Sequence, residues 1–91
     1  METQANELKN FLHSRGFDTV REIVIEPGPD STGDPARFVW LLLDDRVKSK
    51  DLDWDKIKPL VEVAQDWMRD NEPDFYIYVR VRRQKEWFVT L

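Results

Sequence analysis

The chain contains no cysteine. A disulfide framework and a thiolate metal site are therefore excluded, and the absence fits a reducing compartment. Histidine occurs once, at His13, so a metal site of several histidines is excluded, and a serine–histidine pair would have to use this one residue. Ser14 adjoins His13 but points elsewhere on a helix, and Ser31 and Ser49 have no partner at all. Glycine is scarce, with three residues. Gly28 and Gly33 have the spacing of a phosphate-binding loop, but Asp34 stands where that loop needs lysine, and the surroundings read as a hairpin. Residues 1–10 lack the apolar run of a signal peptide, and no stretch approaches membrane-spanning length. The expectation is a soluble cytoplasmic protein that is not an enzyme and holds no metal or cofactor.

What is present is a well-charged globular composition. Of 91 residues, 41% are apolar and 35% charged, which suits one domain over residues 1–91 with a single core. The formal charge of −4 hides an asymmetry. Residues 1–74 hold 10 basic and 17 acidic side chains, while residues 75–91 hold 4 basic and 1 acidic. Arg80, Arg82, Arg83 and Lys85 thus gather near the C-terminal end as a small positive patch on an acidic body.

The strongest periodic signal lies at Phe75–Arg83. Phe75, Ile77, Val79 and Val81 alternate with Tyr76, Tyr78, Arg80 and Arg82, so a strand here has one apolar face and one aromatic and basic face. Residues 3–15 read as a helix with Ala5, Leu8, Phe11 and Leu12 on one side. Thr3 suits its start, and Gly16 suits a left-handed C-terminal position. Phe17–Glu26 reads as a strand, polar enough to lie at an edge. Pro27–Pro35 is rich in turn residues and reads as a long, mobile loop. Arg37–Leu43 reads as a strand; its run from Phe38 to Leu43 has no polar alternation, so both faces are covered.

Between Asp53 and Asp70, Trp54, Ile57, Leu60, Val61, Ala64, Trp67 and Met68 form a helical stripe. Pro59 interrupts it, and a short turn over Trp54–Ile57 leading into a helix from about Lys58 reconciles the two. Asp51, Asp53, Asp55 and Glu62 match four positions of a calcium loop, but Lys56 occupies the position that needs glycine. Carboxylates at a helix start explain them better. Glu86–Leu91 reads as a last strand, with Trp87, Val89 and Leu91 on one face and Phe88 and Thr90 on the other.

The element order is α-β-β-α-β-β. It implies a two-layer α+β domain: a four-stranded, mainly antiparallel sheet with both helices on one face. This order is a circular permutation of the ferredoxin-like arrangement, a statement about topology alone. Strand order 1-2-4-3 places the two most apolar strands centrally; 1-2-3-4 is the rival. The helix-facing layer comprises Ile23, Ile25, Val39, Leu41, Leu43, Ile77, Val79, Val81, Val89 and Trp87. The other face holds Val24, Phe38, Trp40, Leu42, Tyr76, Tyr78, Arg80, Arg82 and Phe88. Monomers rarely leave such a patch bare, and Tyr, Trp and Arg concentrate binding energy at interfaces.

The first functional expectation is an interaction module, a homodimer or an adaptor- or antitoxin-like subunit masking a larger protein. Phe38, Trp40, Tyr76, Tyr78, Arg80, Arg82 and Phe88 are its contact residues. The alternative is single-stranded nucleic-acid binding, with Tyr76, Tyr78 and Trp40 stacking on bases and Arg80, Arg82, Arg83 and Lys85 on phosphates. The acidic total charge weighs against it. Mutual shielding of these side chains in solution is the plainer reading.

Overall fold

The computed structural model describes residues 2–87. Helix α1 spans Glu2–Ser14, strand β1 Val20–Pro29 and strand β2 Pro35–Leu43. A 3₁₀ turn over Ser49–Leu52 leads into helix α2, Trp54–Asn71, followed by strand β3, Tyr76–Arg83. A helical turn, α3, occupies Gln84–Trp87. Gly16 has φ +91, and Phe17 N donates to Leu12 O across it. The chain thus reverses out of α1 through a residue without Cβ strain. Thr3 lies inside the first turn of α1, so it does not cap the helix. Helix α2 carries Pro59 within one continuous element instead of beginning there. Proline at the second turn removes a single early hydrogen bond, and the apolar stripe behind it holds the helix. The stripe starts at Ile57, because Trp54 is 56% exposed.

The architecture is α+β, with a three-stranded sheet ordered β1-β2-β3 among the described residues. β1 runs antiparallel to β2, from Glu22 opposite Leu42 to Pro29 opposite Pro35. β3 runs parallel to β2, from Tyr76 opposite Ala36 to Arg83 opposite Leu43. This corrects the expected 1-2-4-3 order and the mainly antiparallel sheet. β2 is apolar on both faces, as suits a central strand, and α2 supplies the crossover that a parallel neighbour requires. The expected strand beginning at Glu86 is also corrected, since Glu86 and Trp87 belong to the helical turn α3. Its remaining residues, Phe88–Leu91, lie outside the described residues.

Both long helices cover one face. Leu8 and Leu12 of α1 and Leu60, Val61, Ala64 and Met68 of α2 meet Ile23, Ile25, Val39, Leu41, Leu43, Ile77, Val79 and Val81 in one cluster. The alternation in β1 and β3 therefore pointed to the correct face. Leu8, Leu12, Leu41 and Met68 are fully buried, each removal from water being worth about 1.5–3 kcal/mol. No described helix is long and apolar enough to cross a membrane.

Candidate functional site

Every second residue of each strand projects away from the helices, and the register sets them in rows. Glu26, Phe38 and Tyr78 form one row, Val24, Trp40 and Arg80 the next, and Glu22, Leu42 and Arg82 a third. Tyr76 stands beyond them, opposite Ala36. The structure thus brings Phe38, Trp40, Tyr76, Tyr78, Arg80 and Arg82 together on one surface; Phe88 is outside the described residues.

Much of this surface is already engaged. Phe38 and Tyr78 stack with ring centroids 5.5 Å apart. Trp87 lies on Trp40 at 5.1 Å, and the Arg82 guanidinium sits 5.7 Å from the Trp40 ring centroid. Trp87 was expected in the helix-facing layer; it covers the opposite face, because α3 turns the chain back across β2 and β3. Leu42, expected on the open face, is 0% exposed. Two carboxylates fold the chain into α3. Glu86 Oε1 accepts from Arg83 N at 2.9 Å, and Asp45 Oδ1 accepts from Lys85 N at 2.7 Å. Orphan N–H groups at a helix start are satisfied this way. The Arg83 guanidinium beside Glu86, with the Arg83 N–H, holds that carboxyl below its usual range.

The uncovered end is around Tyr76, which is 58% exposed beside the Phe38–Tyr78 stack. The connection expected as a Pro27–Pro35 loop borders it and is a shorter, hydrogen-bonded turn. β1 and β2 extend through Pro29 and Pro35, leaving Asp30–Asp34 between them. Asp30 Oδ1 accepts from Thr32 N at 2.9 Å, Thr32 Oγ1 at 2.7 Å and Asp34 N at 3.0 Å. Gly33 adopts φ +86 to close the turn. The Tyr78 hydroxyl donates to Asp30 Oδ2 at 3.0 Å. These donors, the Thr32 hydroxyl first, hold the Asp30 carboxyl at about 2. The same bond raises the Tyr78 phenol above its ordinary value.

A second charged cluster lies at the opposite end of the sheet. The register shift between Val20 and Glu22 makes Arg21 a bulged residue, aimed at Asp44 with Nη2 2.9 Å from Oδ2. Arg46 donates to the same carboxylate through its backbone N, Nε and Nη2. These donors, Arg46 first, push Asp44 far below the carboxylate range. A carboxylate so saturated is a structural clasp with no free lone pair for chemistry. Asp51, read as a helix-start carboxylate, lies 3.5 Å from Lys56 Nζ. Among the described residues no group of three or more His, Asp or Glu is disposed to hold a metal. His13, expected in solvent, is exposed yet donates from Nε2 to Val20 O at 2.7 Å, tying α1 to β1.

Of the residues of the nucleic-acid alternative, Trp40, Tyr76, Tyr78, Arg80 and Arg82 share this surface. Arg83 falls on the other parity from Arg80 and Arg82 and is held by Glu86 and Val47 O, while Lys85 is exposed on α3. Two contributors escaped the sequence reading: Asp30, which anchors Tyr78, and Trp87 as the cover of Trp40. The Asp-Ser-Thr-Gly-Asp run carried a signal for the first, because Asp, Thr and Gly are turn-forming types. Comparison with protein-family models, with curated proteins and with solved structures finds no match to this chain.

Proposed function

We propose that the chain is a non-enzymatic interaction module that docks a protein partner, or a second copy of itself, on the exposed part of its sheet. Tyr76 carries the reading. It is a large aromatic residue, 58% exposed, beside a stacked aromatic pair, with Arg80 exposed nearby. Desolvating Tyr against a preorganised neighbour returns contact area at low entropic cost. The α3 turn and its Trp87 confine the docking area to this end of the face. A protein surface fits better than nucleic acid, because the ionised Asp30 and its neighbour Asp34 border the aromatic platform and repel phosphate.

Light scattering over a wide concentration range tests the self-associating form, and a photo-reactive side chain placed at position 76 tests a distinct partner. Concentration-dependent mass abolished by Tyr76→Ala, or a crosslink to one protein, supports the reading. A strictly monomeric chain that crosslinks nothing overturns it, and binding of oligo-uridine at low salt would put the nucleic-acid alternative in its place.

A further inference from the structure

The two edges of the sheet differ in a way that the open face does not reveal. On β3 the carbonyls directed away from β2 are engaged by side chains. Gln65 Nε2 donates to Ile77 O at 3.3 Å, Arg80 Nη1 to Val79 O at 3.2 Å, and Arg82 Nη1 to Val81 O at 2.8 Å. Three consecutive outward carbonyls thus already accept from side chains, and an incoming strand has to share or displace those bonds.

On β1 the outward positions follow from the hairpin. Asp30 N donates to Asp34 O at 2.9 Å. Continuing that register by twos makes Gly28–Ala36, Glu26–Phe38, Val24–Trp40 and Glu22–Leu42 the hydrogen-bonded pairs. Pro27, Pro29 and Pro35, which have no N–H, fall in the rungs between, where none is needed. Ile23 and Ile25 then direct their N–H and C=O groups outward. The edge is blunted by Pro27 at one end and by the Arg21 bulge at the other. Between these stops lies a groove of about 500 Å³ along Arg21–Ile25, walled by Ala5, Asn6 and Lys9 of α1 and by Gln84.

We infer that this groove binds an extended, basic segment of a protein partner as an added strand on the edge of β1, with the pattern basic–apolar–any–apolar–basic. The residues opposite Glu22 and Glu26 would be basic. Both carboxylates are exposed on the face away from the helices, four positions apart, and neither has an ion-pair partner among the described residues. They fall on the close, non-hydrogen-bonded rungs of the added ladder, where opposite charges on facing strands attract. The residues opposite Ile23 and Ile25 would be apolar, since they point toward Ala5 and the α1 wall, and Lys9 on that wall disfavours a further cation. Main-chain bonds to Ile23 and Ile25 supply affinity and the alternating side chains supply selectivity. A second copy fits poorly: pairing Ile23 with Ile25 of another β1 sets Glu22 against Glu26, and pairing Ile23 with Ile23 runs the ladder into the Arg21 bulge.

The test is a titration of the ¹⁵N-labelled full chain with acetyl-Thr-Lys-Val-Thr-Val-Lys-Thr-amide, beside the peptide with Glu for both Lys. In the free protein the Ile23 and Ile25 amides should exchange quickly with solvent while Val24 and Glu26 are protected. The Lys peptide should protect and shift Ile23 and Ile25 with a Kd of about 1 mM or tighter, at least tenfold tighter than the Glu peptide. Glu22→Lys combined with Glu26→Lys should reverse that order; both positions are exposed, so the fold is expected to survive. Should that variant fail to fold, loss of Lys-peptide affinity with added salt in the parent chain reads the same charges. Slow exchange at Ile23 and Ile25 in the free protein would overturn the proposal, because the edge would already be occupied. So would equal binding of both peptides, no binding, or shifts confined to Tyr76 and Tyr78. The last outcome would leave the open-face reading intact.

Discussion

Tyr78 and Asp30, 48 positions apart in the chain, are joined by a 3.0 Å hydrogen bond from the phenol to Asp30 Oδ2. The bond spans the sheet, fastening the edge strand β3 to the turn between β1 and β2. The turn itself is closed on Oδ1 of the same carboxylate. Stacking on the open face and the order of the turn therefore share one ionised group.

That sharing sets a pH dependence. The Asp30 carboxyl is held at about 2 against an ordinary value of 3.8. A lowered folded value means that the stabilising contribution is complete above the ordinary value and is lost as pH falls through about 2. A ¹³C carboxyl titration should place the Asp30 midpoint near 2, with protection of the Thr32 and Asp34 amides falling alongside it. A midpoint near 3.8 would show that the donors do not hold the carboxylate in solution.

The two faces of β3 separate by mutation. Val79 is buried under the helices and Tyr76 is largely exposed. Val79→Ala should cost on the order of 1–3 kcal/mol in a denaturant melt, through lost burial and a residual cavity. Tyr76→Ala should change stability by less than about 0.5 kcal/mol while removing association. Equal destabilisation by both would mean that the exposed end of the face is structural.

Trp87→Ala should uncover Trp40. The loss of their 5.1 Å ring contact is worth about 0.5–1.5 kcal/mol beyond buried area. The variant should bind an apolar dye more strongly and show a red-shifted tryptophan emission. Unchanged dye binding and stability together would argue that α3 does not protect the face in solution.

The glycines of the hairpin should respond with opposite signs. A Cβ at Gly33 meets nothing within 4 Å, but φ is +86, so Gly33→Ala should destabilise by about 1–2 kcal/mol through backbone strain alone. At Gly28 a Cβ would lie 3.8 Å from Phe38 Cε2, an ordinary contact at a residue without positive φ. Gly28→Ala should stabilise by about 0.5 kcal/mol by restricting the unfolded chain. Thermal melts of the pair decide this, and a stabilising Gly33→Ala would refute the turn geometry.

The residues of this chain determine a good deal unaided. The alternation from Phe75 to Arg83 placed Ile77, Val79 and Val81 against the helices and Tyr76, Tyr78, Arg80 and Arg82 away from them. The stripe through Leu60, Val61, Ala64 and Met68 placed α2 on the sheet, and Gly16 marked the reversal after α1. These are local facts, because a side chain's face follows from the period of its own element. Direction and adjacency are not local. Alternation in β3 reads the same beside β2 in either direction, and α2 as the crossover decided that the pairing is parallel. Pro27 and Pro29 read as loop residues in sequence, yet they sit in β1, where register leaves their missing N–H groups on the edge that has no neighbouring strand among the described residues. Glu86 and Trp87 alternate like a strand, but Asp45, 40 positions before Lys85, takes the Lys85 N–H and closes a helical turn. Only tertiary structure brings that carboxylate within reach, and it thereby decides that Trp87 covers Trp40 and that the face narrows to its Tyr76 end.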